Sequence, residues 1–182
     1  GYLKNSLLNH NPGLRESEIV CQTDPQGQPV RLEIISANLR TLQPLAQLTT
    51  LRELIAGGKR PADRSDAVIL APLDDLEPLR NLPLQTLYLG HTRVKDLEPI
   101  TGMLSLTRLS LTQTDVTDIG PLADLRLTAL DLSYVKLRDL APLRAMPLRE
   151  LNLTQTEIAD LGVLRGKPLT DLRAARTLIR DL

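Results

Sequence analysis

The groups able to do covalent or acid–base chemistry are few and scattered. The chain has one cysteine, Cys21, and two histidines, His10 and His91. A thiol nucleophile needs a base within hydrogen-bond reach. Cys21 is far from His91 along the chain, and no cluster of cations beside it would favour the thiolate. With Ile19 and Val20 as neighbours it reads as a small buried hydrophobe. Gly57-Gly58-Lys59 lacks the remainder of the GxxxxGK[ST] loop that cradles phosphates. His91, close to Tyr88 and Arg108, reads as a binding residue rather than a general base. No catalytic constellation and no cofactor site is expected.

Carboxylates recur more regularly, at Asp75, Asp96, Asp118, Asp139, Asp160 and Asp181. Such a column could hold cations, but the Asp-x-Asp-x-Asp donor spacing of a calcium loop is missing, so no metal is expected. Most of these residues precede Leu-x-Pro-Leu or a near variant. There a carboxylate can accept backbone N–H bonds from the turn that follows. Pro78, Pro99, Pro121 and Pro142 then hold φ where no ladder bond is needed. Thr92, Thr114, Thr156 and Thr177 form a second column, placed to satisfy backbone groups at a bend with the hydroxyl while the methyl fills space. Val135 interrupts it, which predicts a slightly different bend in that unit.

These columns exist because the chain repeats. The stretch 84–100, LQTLYLGHTRVKDLEPI, recurs toward the C-terminus. Leu87, Leu109, Leu130, Leu151 and Leu172 mark its register, at spacings of 22, 21, 21 and 21 residues. Each unit, LxxLxLxxTxVxDLxPL, opens with the apolar–polar alternation of a short strand. It closes in a tight turn or 3₁₀ segment on the opposite side. One unit cannot close a core, but stacked units bury a continuous column of leucine. The period lies within the ~20–29 residues of a leucine-rich repeat. The expected fold is an α/β solenoid: a leucine-rich repeat horseshoe with one short parallel strand per repeat on its concave face and 3₁₀ or turn segments on its convex face. Phe and Trp are absent and Tyr occurs three times, which suits identical aliphatic layers better than an interior of mixed sizes.

Residues 1–28 carry no repeat and read as an N-terminal cap. Tyr2, Leu3, Leu7 and Leu8 fall near helical spacing, ended by Asn11-Pro12-Gly13. The turn cluster at 24–29 separates two strand-like runs, so a hairpin is expected whose second arm is the first repeat strand. The repeat domain, 29–182, holds about seven units. An inserted loop near 57–70 carries Lys59, Arg60 and Arg64, which could meet an acidic partner or belong to a tolerated surface excursion. The last unit stops at Asp181-Leu182. Its Leu172, Ile179 and Leu182 would face water, which predicts that this edge pairs, as in a homo-oligomer, or that the natural chain continues. Gly1 in place of Met also suggests a piece of a longer chain.

Strand residues on either side of the central leucine point away from the core and build the concave face. Tyr and Arg anchor interfaces more often than other residues. The expected contact patch for a protein or peptide partner is Tyr88, His91, Arg108, Asp131, Tyr134, Arg173 and Arg176. Twenty-two basic residues balance twenty-two acidic ones, leaving no net field to steer toward nucleic acid or anionic lipid. No apolar run approaches the ~18 residues of a membrane span. A single cysteine and an N-terminus unlike a signal peptide lean toward a cytoplasmic setting.

The repeats resemble the leucine-rich repeat modules of bacterial multidomain proteins, particularly those attached to serine/threonine protein kinases. The likeness is carried by Asn11-Pro12-Gly13, by the glycine-bearing insertion, and by the LTxLDLSxTxVxDLxPLxxMPL cycle at 127–132, 156–164 and Met146-Pro147-Leu148. The DLxPL segments also resemble internalin repeats. The fourth repeat departs, with Met103-Leu104-Ser105-Leu106 in place of Met-Pro-Leu. The resemblance implies a recognition or scaffolding accessory domain and lends no catalytic role to any position. Two readings follow: a non-catalytic protein- or peptide-binding module of a larger bacterial protein, using its concave face, or a structural spacer that self-associates through its C-terminal edge.

Overall fold

The computed structural model describes residues 1–59 and 68–179. Helix α1 (Tyr2–His10) is followed by β1 (Ile19–Thr23) and β2 (Pro29–Ile35). Then come β3 (Glu53–Gly57), β4 (Thr86–Tyr88), β5 (Arg108–Ser110), β6 (Ala129–Asp131), β7 (Glu150–Asn152) and β8 (Asp171–Arg173). They form one sheet in chain order. β1 runs antiparallel to β2, and each later pair is parallel.

The leucine register is the one the spacing predicts. Leu32, Leu54, Leu87, Leu109, Leu130, Leu151 and Leu172 oppose one another strand by strand. From Leu32 to Leu151 this column is buried, as are Leu89, Leu111, Leu132 and Leu153 two residues further on. The fourth repeat absorbs its extra residue outside the core: Gly102 takes a positive φ of 77° and Leu104 swings out to 65% exposure. Leu172 is 40% exposed although it continues the column, because no described coil covers β8. Leu182 and Asp181 lie outside the described residues.

The return arms carry 3₁₀ turns at Gln43–Leu45, Glu77–Leu79, Glu98–Ile100, Gly120–Leu122, Ala141–Leu143 and Gly162–Leu164. The aspartate column serves them as expected. Asp75, Asp96, Asp118, Asp139 and Asp160 accept the N–H two residues ahead, at 2.8, 2.9, 2.7, 2.8 and 2.7 Å. Thr41 takes this place in the first coil, at 3.1 Å from the Gln43 nitrogen. On the other side, the hydroxyls of Thr92, Thr114, Thr156 and Thr177 donate to the carbonyl three residues back, at 2.7–2.9 Å. Val135 has no hydroxyl, and its coil does differ. In the threonine-bearing coils the next residue donates its N–H to the preceding coil, as Asp115 does to Val94 and Glu157 to Leu137. Among the described residues Lys136 makes no such bond; instead Leu137 turns back onto the Val135 carbonyl.

Two polar side chains bind the cap to the coils. Asn11 is fully buried. Its amide donates to the Leu7 and Thr41 carbonyls, and its oxygen accepts from the Arg40 and Thr41 nitrogens. Glu18 accepts from the Ser36 hydroxyl at 2.7 Å, from the Arg15 N–H at 3.0 Å and from the Lys59 ammonium. Cys21 is half-buried against the core, less enclosed than its apolar neighbours suggested, because β1 is an edge strand and Val20 faces out.

The insertion leaves the sheet through Gly57 and Gly58. A Cβ on Gly57 would stand 2.2 Å from the Gly90 carbonyl oxygen, and one on Gly58 would stand 2.2 Å from that of Ile69. Only glycine lets the coils pass this closely. Lys59 and Ile69 form an antiparallel bridge at the stem. Arg60 and Arg64 lie outside the described residues.

Two measurements check this architecture. Leu130→Ala is expected to lower unfolding free energy by about 2–5 kcal/mol in denaturant titration; a loss under about 0.5 kcal/mol contradicts the column. For Glu18, burial pushes the carboxyl up, but bonds from Lys59, Ser36 and Arg15 together hold it below its ordinary value of 4.5. A lowered carboxylate stabilises the fold above its unfolded pKa, and this contribution fades as pH falls through the lower folded value. Glu18→Gln is therefore expected to flatten the stability–pH curve below pH 4.5, read by thermal melts.

Candidate functional site

The parallel strands hold their outward side chains in two fixed rows. Tyr88, Arg108, Asp131 and Arg173, four of the seven residues expected to meet a partner, line one groove of about 330 Å³. Its floor is open because Ala129 is small. The Arg108 guanidinium reaches across that coil to Glu150 at 3.5 Å. At the far end Arg173 pairs with Asp171 at 3.0 Å. The Asp131 carboxylate accepts the Ser133 N–H at 2.8 Å and the Asn152 amide at 3.2 Å. Among the described residues no cation pairs with it. Toward the N-terminal coils, Arg31 lies 3.0 Å from Glu53 and 3.7 Å from Glu33. Glu150, Asn152 and Asp171 belong to the groove although residue type alone did not single them out. The available signal was their position in the same outward rows, where Arg108 meets Glu150 two coils away.

A second recess of about 230 Å³ opens beside the first, toward the insertion stem. Ile35, Ile55 and Tyr88 wall it, and Gly57, Gly58 and Gly90 leave it unfilled. Tyr88 lines both cavities. His91 borders this recess, and its backbone carbonyl accepts the Gly58 and Ala71 N–H groups.

Tyr134 and Arg176 lie elsewhere. Together with His91, Gln113 and Gln155 they occupy one column at the turn after each strand, all left-handed, with φ between 52° and 61°. The N–H groups of His91, Gln113, Tyr134 and Gln155 reach the next coil's carbonyl at 2.9 Å. This turn carries the side chains off the concave rows. Tyr134, 43% exposed, borders a separate hollow with Gln113, Gln155 and Lys136. The expected patch is thus divided: Tyr88, Arg108, Asp131 and Arg173 share the groove, His91 adjoins it, and Tyr134 and Arg176 belong to the lateral rim.

No protein-family model matches the chain, and neither does any curated protein. Solved structures do. Internalin C2 from Listeria monocytogenes is similar at a TM-score of 0.75 and 26% identity, over 99% of this chain and 76% of that one. The chain has the leucine-rich repeat fold, and this neighbour is a bacterial protein. Internalin F from the same organism is similar at a TM-score of 0.52 and 25% identity, over 79% of this chain and 53% of that one. A leucine-rich repeat protein from Leptospira interrogans, at 20% identity and a TM-score of 0.57, shares the fold; it matches 74% of this chain and 34% of its own.

In this leucine-rich repeat domain the rim column has an energetic consequence. A side chain in the left-handed region costs about 1–2 kcal/mol, and none of the five rim residues is glycine or asparagine. Gln113→Gly and Gln155→Gly are expected to raise unfolding free energy by about 0.5–1 kcal/mol, while Gln155→Val lowers it. Chemical denaturation of the three variants decides; a loss of stability in both glycine variants would show that side-chain packing outweighs the strain.

Proposed function

We propose that this leucine-rich repeat domain is a non-catalytic recognition module of a larger bacterial protein, and that it binds a protein or peptide along its concave strand face. The observation that carries the reading is the groove between Tyr88 and Arg173, whose side chains stand on a rigid parallel sheet. Groups held in place before binding lose little freedom when a partner arrives. Tyr88 and Arg108 supply the side-chain types that most often dominate interface energy. Nothing in the described geometry sets a nucleophile beside a base. Cys21 lies on β1, His10 closes α1 with its Nδ1 2.8 Å from the Ser6 carbonyl oxygen, and His91 stands in the third coil. The groove's guanidiniums are engaged with carboxylates. The likeness to kinase-attached modules supports a regulatory setting within this proposal.

A second reading is favoured by one observation: Leu172 and the neighbouring Leu178 are exposed beside β8, which suits self-association through that edge. The two readings separate in one experiment. Tyr88→Ala and Arg108→Ala are expected each to cost a partner about 1–3 kcal/mol of binding free energy, measured by titration calorimetry, with no change in oligomer size by light scattering. Unchanged affinity together with a smaller oligomer for Leu172→Arg would favour self-association.

A further inference from the structure

Resting on the concave-face reading, we infer that the partner is an extended peptide segment bearing an aliphatic side chain and, three or four positions away, a lysine or arginine. The aliphatic group enters the glycine-floored recess walled by Ile35, Ile55 and Tyr88. The cation meets Asp131.

The recess comes first. Ile35, Ile55, Ala56 and the Tyr88 ring give it apolar walls, and Ser110, Thr112 and His91 complete its lining. It lies open because Gly57, Gly58 and Gly90 contribute no side chains. Its volume of about 230 Å³ accommodates one leucine-sized group. Gly57 and Gly58 cannot be exchanged to close it from within, since a Cβ on either would strike backbone oxygens. Filling it with a partner's apolar group removes Ile35, Ile55 and the Tyr88 ring from water.

The charge distribution selects the second group. Strands β2–β8 carry five carboxylates and three guanidiniums, in a chain whose net charge is zero. Arg31, Arg108 and Arg173 each face a carboxylate within 3.5 Å. Among the described residues Asp131 has neutral donors only, the Ser133 N–H and the Asn152 amide. A carboxylate already oriented by such donors presents its remaining lone pairs to an incoming cation at little cost in ordering. An acidic side chain at the same place would meet Asp131 and Glu150 together.

The spacing follows from the sheet. Asp131 is two strands from Tyr88, and the recess lies between Ile55 and Tyr88. Neighbouring strands are ~4.8 Å apart, so the two sites are separated by roughly 10–12 Å. A peptide laid across the strands advances ~3.3–3.6 Å per residue, which gives three or four positions.

The test uses the chain of residues 1–182 and an array of ten-residue peptides. One position is fixed as Leu, and Arg is fixed one to six positions away on either side, with Glu in place of Arg as the control. Peptides with Leu and Arg three or four apart are expected to bind at least tenfold more tightly than those one apart or those bearing Glu. Asp131→Asn, which keeps a side-chain oxygen for the Ser133 N–H at this half-buried position, should erase the preference for Arg and leave the preference for Leu. Asp131→Arg should turn the charge preference toward Glu. Ile55→Ser should weaken the preference for Leu alone. Binding that is lost in Tyr88→Ala yet shows no Leu–Arg spacing overturns this inference and leaves concave-face recognition standing. Binding indifferent to Tyr88→Ala and to both Asp131 variants overturns the concave-face reading with it. An array on which no peptide binds overturns the inference outright.

Discussion

Stacking of identical aliphatic rungs is the interaction on which the rest of this structure depends. Each coil contributes one central leucine and a second two residues on, and neither can be buried except against the coils above and below. Burial of such a side chain is worth ~1.5–3 kcal/mol, and the gain is collected only when the coils are in register. That requirement explains the monotony of the sequence. A coil of different length must put its surplus residue somewhere outside the column, as the fourth repeat does with Leu104. The larger insertion after β3 likewise leaves the sheet before it can disturb the next leucine. It does so through two glycines because the backbones of adjacent coils nearly touch there.

Burying aliphatic layers this closely creates a polar problem at both ends of each strand, where the chain must turn with backbone groups still unpaired. The aspartate column answers it on the return arm and the threonine column answers it at the strand end. The turn after the strand also takes one residue into the left-handed region in five coils. The chain spends side chains such as His91, Tyr134 and Arg176 at a position where glycine would be easier. The same local geometry lifts those side chains off the inner face, so the energetics of the turn divide the surface into a concave groove and a lateral rim.

The groove is a by-product of this arrangement. Once the inward positions are committed to leucine, the alternate positions are free to vary, and their variation from coil to coil makes the surface particular. Ala129 opens space where its neighbours in the row are long. Arg108 and Glu150 close over that space, and among the described residues Asp131 accepts from neutral donors and no cation. Resemblance to internalin C2 over nearly the whole chain speaks to the scaffold. The chemistry presented on it is set by these few residues.

Much of the scaffold could be read from residue spacing, because stacked coils convert a period in sequence into a column in space. The leucine register, the capping role of Asp75 to Asp160, the carbonyl-satisfying role of the threonines and the departure at Val135 all rest on local contacts of a few residues or on strict repetition. Other features depend on separations that no period encodes. Asn11 binds residues some thirty positions away, and Glu18 binds Lys59 at the insertion stem. Cys21 lost full burial because an edge strand has a neighbour on one side only. The candidate patch was legible as residue types but not as a surface: Tyr88, Arg108, Asp131 and Arg173 converge, whereas Tyr134 and Arg176 sit where a left-handed turn points them. Sequence by itself determined which residues stack, since burial follows periodicity. Only the tertiary structure decided which exposed residues share a surface, since that depends on turn geometry, on the size of the neighbour in the next coil and on charges paired across two coils.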